Sequence, residues 1–252
     1  MQDICESAPS SPFAVMSQEN KIIIISPTGD FILNVRRDEG SDPFLYRVDS
    51  HVLRKSSRYF ENMLSDRFNE GAALSAAHKQ LMQSGTYAAV VDAPPEALPH
   101  VSIIDIGRIS NVATIQNLMG DFLRILHGHS LAIATPPLTN LANLAIVGDR
   151  FDALSCLAQH VHKKKYIQAI VAKTKGKSPN TFSEEKARER LLTGVLLDYP
   201  PWVTKYSAQL IYRNSVRWGA DAEETYPGAL WWDLPEGLEG EILFQFQLPM
   251  VD

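Results

Sequence analysis

The spacing of apolar residues changes near residue 49 of the chain. Before that point KIIIIS (21–26) is a β-branched run, and apolar side chains alternate with polar ones in DFILNVR (30–36) and FLYRV (44–48). These patterns are typical of strands, so we expect a short buried strand followed by a hairpin that turns at RDEGSDP. The predicted inward face of the second strand carries Phe31, Leu33 and Val35, opposite Asn34 and Arg36.

After residue 49 the apolar residues recur at helical spacing. Asp49 or Ser50 is expected to cap a first short helix, because their side-chain oxygens can accept hydrogen bonds from free backbone N–H groups. Ser56–Ser57 supplies the cap of a second helix in the same way. The apolar stripe of this second helix is predicted at Tyr59, Phe60, Met63 and Leu64. A pair of short helices is therefore expected to cover the hairpin.

The pattern weakens between residues 71 and 99, where small residues and three prolines predominate. A loop of this length is unusual inside a compact domain, so we interpret 71–99 as an insertion, partly helical or mobile. HVSIIDI (100–106) then predicts a strand. Further helices are predicted from the apolar stripes that begin at Ile115, Leu141, Leu191 and Trp202. Gly148 interrupts the second stripe, which indicates either two helices or one helix against a close neighbour.

Composition places the chain among ordinary globular proteins, with 252 residues, 45% hydrophobic and 21% charged. Its formal net charge of −5 argues against a protein that mainly grips nucleic acid. Only two cysteines occur, so we expect an intracellular location, nucleus or cytoplasm, without a disulfide framework. The charge-free stretch from Ile125 to Gly148 is broken by Pro136–Pro137, so no membrane span is expected.

Residues with catalytic or metal-binding chemistry are scattered along the chain. KGKS (175–178) lacks the upstream glycine of a phosphate-binding loop, and Cys156 with His160 would supply only two metal ligands. Asp105 is interpreted as a strand-end residue that caps a turn or faces solvent. An alternative left open is an enzyme whose site is assembled from distant residues, with Asp105, His127 or Cys156 taking part.

Two surface features have structural and functional interpretations. Six lysines lie between Lys163 and Lys177 without an acidic residue among them. They are interpreted first as a solvated helix face. The alternatives are a nuclear-targeting patch, a contact with an acidic partner, or a nuclear factor that uses the 163–177 stretch on nucleic acid. Trp231–Trp232 is expected to pin the C-terminal segment onto the core.

The segments GDFILNVRR and PFLYRVDSHVLRKSSRYFENMLSDRFNE resemble the first half of a BTB/POZ domain. IQNLMGDFLRILHGHS and LANLAIVGDRFDALSCL are similar to the helices that follow in that family. The resemblance covers roughly residues 22–162 and is nearest to fungal BTB-containing proteins of uncharacterised role. The family pattern is matched by Asp30, Val52–Leu53, Ser57, Phe60, Met63–Leu64 and Phe68-x-Glu70. The usual histidine and basic residue before the helix pair are replaced by Asp49 and Ser50.

The resemblance implies an α+β fold, with a disordered lead at 1–20, a BTB/POZ domain at 21–165 and an α-helical C-terminal extension at 166–252. It implies a non-enzymatic module that binds other proteins and commonly homodimerises. In many members the domain is an adaptor that bridges substrates to a cullin ubiquitin-ligase scaffold. No cofactor, metal or catalytic residue is expected. The partner-binding residues implied by the family's hydrophobic-x-Glu motif and the preceding helix are Met63, Phe68, Asn69 and Glu70.

Overall fold

The hairpin expected from the alternating segments lies at the centre of a mixed sheet. The computed structural model describes residues 21–37, 40–174, 183–212 and 230–232. Within these ranges the strands are β1 (Ile23–Ile24), β2 (Phe31–Arg36), β3 (Phe44–Val48) and β4 (His100–Ile104). They lie in the order β1-β3-β2-β4. Strand β2 is antiparallel to β3 and parallel to β4, whereas β1 is parallel to β3. With the helices that cover this sheet, the fold is α+β.

Strand β2 is buried on both of its faces. Phe31, Leu33 and Val35 are completely buried in the main core, as predicted. Ile32 points to the opposite face and is also completely buried, in a second cluster with Ala93 and Leu98. The sequence interpretation assigned only Asn34 and Arg36 to that face. A strand covered on both sides carries a continuous apolar run, which explains the letters FIL at its start.

The two short helices after the hairpin are α1 (Ser50–Ser56) and α2 (Arg58–Met63). Of the candidate caps, Asp49 begins α1 by accepting a hydrogen bond from the Val52 N–H at 3.0 Å. Ser57 begins α2 by accepting one from the Phe60 N–H at 3.1 Å. The Ser57 hydroxyl also donates to the Phe151 carbonyl at 2.6 Å. The same side chain therefore starts a helix and ties it to a segment nearly a hundred residues later.

Residues 71–99 cover the second face of the sheet. They contain most of α3 (Asn69–Gln83) and two 3₁₀ turns, Val90–Asp92 and Pro95–Ala97. The buried Arg47 side chain fastens this layer to the sheet through its guanidinium group. It donates to the carbonyls of Gly29 at 3.0 Å, Val91 at 2.8 Å and Ala93 at 3.2 Å. The segment is thus a packed layer over Ile32 as well as a connection to β4.

Three helices complete the cover of the first face: α4 (Ile115–Leu126), α5 (Leu138–Arg150) and α6 (Leu154–Lys163). The stripe predicted for α4 is buried at Leu118, Met119, Phe122, Leu123 and Leu126. Helix α4 ends at His127, and Gly128 adopts a φ of 76°, a conformation that favours glycine. The apolar stripe that begins at Leu141 forms two helices, α5 and α6. They approach closely at Gly148, where an added Cβ would lie 2.8 Å from Leu157 Cδ2.

The C-terminal part adds α7 (Tyr166–Thr174), α8 (Glu184–Leu196) and α9 (Pro200–Tyr212). Ser183 caps α8 by accepting from the Lys186 N–H. A 3₁₀ turn at Leu230–Trp232 packs against α8, where Trp231 is 1% exposed and the Arg188 guanidinium lies 5.6 Å from the Trp232 ring centroid. The tryptophan pair therefore pins this turn onto the core, as expected. The remaining residues of the predicted lead and extension lie outside the described ranges.

Helix α8 is buried around its whole circumference near its middle, although the sequence there is charged. Residues 187–194 are all buried. Arg188 is completely buried, and its Nε donates to Glu184 Oε1 at 3.0 Å. Burial raises the pKa of the Glu189 carboxyl, whose Oε1 has no hydrogen-bond partner. No helix in the described ranges combines the length and the apolar character needed to cross a lipid bilayer.

Replacement of Ser57 by alanine is expected to destabilise the protein by about 2 to 4 kcal/mol, because it removes a helix cap and leaves the Phe151 carbonyl without its donor. Urea unfolding followed by circular dichroism measures the loss. Ser155→Ala, at an exposed position of α6, is the control and is expected to stay within about 0.5 kcal/mol of the parent. Equal stability of the two variants would contradict the role given to Ser57.

Candidate protein-interaction surfaces

The residues predicted to bind a partner lie mainly at the start of α3. Phe68 precedes the helix with an extended backbone and is 51% exposed, and Asn69 and Glu70 are exposed in the first turn. A Cβ at Gly71 would overlap the Ser65 carbonyl, so the start of α3 packs closely on the turn that follows α2. This close packing fixes the position of the backbone at the start of α3. We call Phe68, Asn69 and Glu70 the α3 surface.

Met63 has a different environment from the other three predicted residues. It is the last residue of α2 and is partly buried against the main core. Its side chain supports the helix pair and contributes only partly to the outer surface. The structure therefore presents Phe68, Asn69 and Glu70 as a contiguous exposed segment, whereas Met63 packs against the main core.

The α3 surface lies beside a group of polar side chains. Burial raises the pKa of the Tyr59 hydroxyl; the positive charge of Arg150 opposes this rise, and the negative charges of Glu70 and Asp105 add to it. Asp105 Oδ2 lies 2.9 Å from Arg150 Nη2 in an exposed ion pair. Glu70, Asp105 and Arg150 therefore all act on the Tyr59 hydroxyl, and the last two form an ion pair with each other.

A groove opens between α1, α4 and α6, on different elements from the α3 surface. Its volume is about 590 Å³. We call it the α1–α4–α6 groove. Its lining residues are His51, Val52, Lys55, Ser56, Leu126, His127, Gly128, Ser155, Cys156 and Gln159. The groove brings together His127 and Cys156, two of the three candidates for a catalytic site assembled from distant residues.

Both ring nitrogens of His127 are engaged by the backbone. Its Nδ1 lies 2.8 Å from the Leu123 carbonyl and must donate, while its Nε2 accepts from the Asp49 N–H at 3.1 Å. This geometry requires the neutral ring, and burial lowers the pKa of His127. The imidazole joins the end of α4 to the start of α1. It has no lone pair available to remove a proton from a substrate or from the thiol.

The environments of the other two candidates, Cys156 and Asp105, also disfavour catalysis. Burial raises the pKa of the Cys156 thiol, which also interacts with Ser56, so the nucleophilic thiolate is disfavoured. Asp105 is not among the residues that line the groove. It follows β4 with a φ of 69° and accepts from the Gly107 N–H at 3.0 Å, which is the turn-capping role expected for it. The three residues therefore do not form an acid–base or nucleophilic unit.

The described lysines of the 163–177 stretch lie at the end of α6 and on α7. Lys163, Lys164 and Lys165 are exposed, and Lys164 Nζ donates to Ser130 Oγ at 3.1 Å. Lys173 is exposed on α7, whereas Lys175 and Lys177, with the whole KGKS motif, lie outside the described residues. In the part of the chain that the structure describes, no group of three or more His, Cys, Asp or Glu side chains is placed to hold a metal ion.

Comparison with known proteins yields no match: no family model, no curated protein and no solved structure matches this chain. The BTB/POZ resemblance therefore remains a prediction that depends on the residues and on the order of the elements.

Folding stability is expected to fall in mildly acidic solution because of His127. A histidine whose pKa is lowered by folding stabilises the fold fully above its unfolded value of about 6.5, and this contribution is lost as the pH falls through the lower folded pKa. Urea unfolding at a series of pH values tests this. His127→Gln should flatten the dependence below pH 6.5, whereas His100→Gln, at an exposed position of β4, should preserve it. An unchanged profile in His127→Gln would contradict the assignment.

Proposed function

We propose that the chain is a protein-interaction module of the BTB/POZ type that acts by binding other proteins. The proposal rests on the positions of the residues that match the family pattern. Asp30 precedes β2, and its carboxylate accepts from the Ser50 N–H at 2.7 Å and from the Ser50 hydroxyl at 2.6 Å. Ser57 caps α2, and Phe60 is completely buried in the main core. These residues support the joints between the hairpin and the helix pair.

The order of the elements supports the same proposal. A hairpin is followed by a capped helix pair, a strand returns beside β2, and three helices follow. This is the sequence of parts over residues 22–162 on which the resemblance was based. Because the side chains of these elements fill the core, function is left to the outer surface. Binding of macromolecules suits such a surface better than catalysis, which needs converging reactive groups.

The adaptor version of the proposal uses the α3 surface. An exposed aromatic ring beside a carboxylate offers an apolar anchor and a directional charge, a combination that partner proteins bind well. Phe68 supplies the ring and Glu70 the carboxylate, two residues apart at the start of one helix. We therefore propose that a cullin scaffold docks on Phe68 and Glu70.

Glu70→Lys is expected to weaken capture of a purified cullin N-terminal domain by about tenfold or more, because the charge at the proposed contact is reversed. Pull-down followed by titration calorimetry measures the change. Charge reversal in the first turn of α3 also costs about 0.3 to 1 kcal/mol of helix stability, so the melting temperature is measured alongside.

The matched control for this experiment is Glu96→Lys, an exposed acidic position in the second 3₁₀ turn. It should capture the cullin domain as the parent does. Absence of capture by the parent chain, or equal capture by Glu70→Lys, would end the adaptor version.

The self-association version is tested by the mass of the purified chain. Multi-angle light scattering over a range of concentrations should show the mass rising from 28.1 kDa towards twice that value. An isologous dimer of this kind depends on concentration through simple mass action. A mass that stays at one chain at every concentration would remove homodimerisation from the proposal.

A further inference from the structure

The α1–α4–α6 groove has a basic rim above an apolar floor. His51 and Lys55 are exposed at positions on α1 that line it, whereas Val52, Leu126 and Cys156 supply apolar contact area. None of the described lining residues carries a carboxylate. The chain as a whole has a formal net charge of −5, so this groove departs in sign from the molecule that contains it.

The polar groups beneath the rim are already bonded within the protein. The Ser56 hydroxyl donates to the Leu126 carbonyl at 3.0 Å, and both nitrogens of His127 contact the backbone. Asp49, the carboxylate that acts on His127, is held by the Val52 N–H. Asp49 therefore caps the start of α1, whereas Lys55 lies near the end of the same helix. Among the described lining residues, Lys55 is therefore the one that offers a fixed charge to a ligand.

A further cation lies beside the groove. Lys164 Nζ is held by Ser130 Oγ, and Ser130 is two residues beyond the lining residue Gly128. Burial lowers the pKa of His160, and the positive charges of Lys164 and Lys163 lower it further. Lys55 thus lines the groove from α1, and Lys164 lies near its Gly128 end through its contact with Ser130.

We propose that the α1–α4–α6 groove binds an acidic linear segment of a partner protein, with carboxylates at the lysines and an apolar side chain on the floor. The volume of about 590 Å³ falls within the range of about 300 to 1,000 Å³ that is usual for ligand sites. Complementary charge would steer the segment to the rim, and burial of the apolar side chain would slow its release. The site is separate from the α3 surface, so this inference goes beyond the proposed cullin contact.

A peptide is favoured over nucleic acid by the chemistry of the groove. Single-stranded nucleic acid is normally held by aromatic stacking along a continuous basic track. The rings that line this groove are the imidazoles of His51 and His127, and His127 is fixed by the backbone on both of its nitrogens. A short segment with one or two carboxylates and an aliphatic side chain matches both the charge and the floor.

The test uses the full chain and a fluorescein-labelled peptide, GDELDEVEG, followed by fluorescence anisotropy. Lys55→Glu is expected to weaken binding by about tenfold, and Lys55→Arg to preserve it, because the latter keeps the positive charge. The control is Lys79→Glu, an exposed position on α3 outside the groove, which should bind as the parent does. Raising the salt from about 50 mM to about 300 mM should weaken the parent's binding several-fold.

Three results would each overturn the proposal. The first is equal affinity for the acidic peptide and for the neutral peptide GNQLNQVQG. The second is an equal loss of affinity for the acidic peptide in Lys55→Glu and in Lys79→Glu. The third is tighter binding of labelled oligothymidine than of the acidic peptide, with the same dependence on Lys55. Melting temperatures separate these results from unfolding of a variant. Cullin capture and the light-scattering mass are measured on Lys55→Glu as well, and unchanged values would show that the groove and the α3 surface act independently.

Discussion

Burial of β2 on both faces is the constraint on which the rest of the fold depends. Phe31, Leu33 and Val35 require a helical layer on one side, and Ile32 requires a second layer on the other. The first layer is built by the helix pair and by α4 to α6, and the second by residues 71–99. Because β4 runs parallel to β2, the chain between them must cross over the sheet, so residues 71–99 both join the two strands and cover them.

The joints between these layers use polar side chains that would otherwise suggest chemistry. Asp30 binds the start of α1, Ser57 binds the Phe151 carbonyl, and His127 bridges α4 and α1. A buried polar group stabilises a fold only when its hydrogen bonds are satisfied, so these groups are committed to the backbone. Within the described residues, this commitment explains why His127 is not available as a base, and it is one reason why binding at the surface is the function that we propose.

Local signals predicted the parts of the fold that depend on neighbouring residues. The caps at Asp49 and Ser57 and the apolar stripe of α4 are set within one or two helical turns, so the sequence was sufficient for them. Residues 71–99 are partly helical, as expected, but their packing as a layer was missed because their small residues give little periodicity. The burial of Arg188 was missed because the ring of the distant Trp232 contributes to it in addition to the local pair with Glu184. The exposed start of α3 followed from a short motif. The α1–α4–α6 groove did not, since its walls come from helices brought together only by folding.

The two surfaces differ in charge, which limits how copies of the chain can meet. A twofold axis through the α1–α4–α6 groove would bring Lys55 towards its own copy in the absence of a lining carboxylate, and like charges oppose such a contact. A head-to-tail contact between the groove of one copy and Glu70 of another would bring opposite charges together. Such a contact forms a closed assembly only when the rotation between successive copies brings the last copy back to the first. A closed dimer of the proposed kind is therefore expected to form away from the groove, which leaves the groove open to an acidic segment of a different protein.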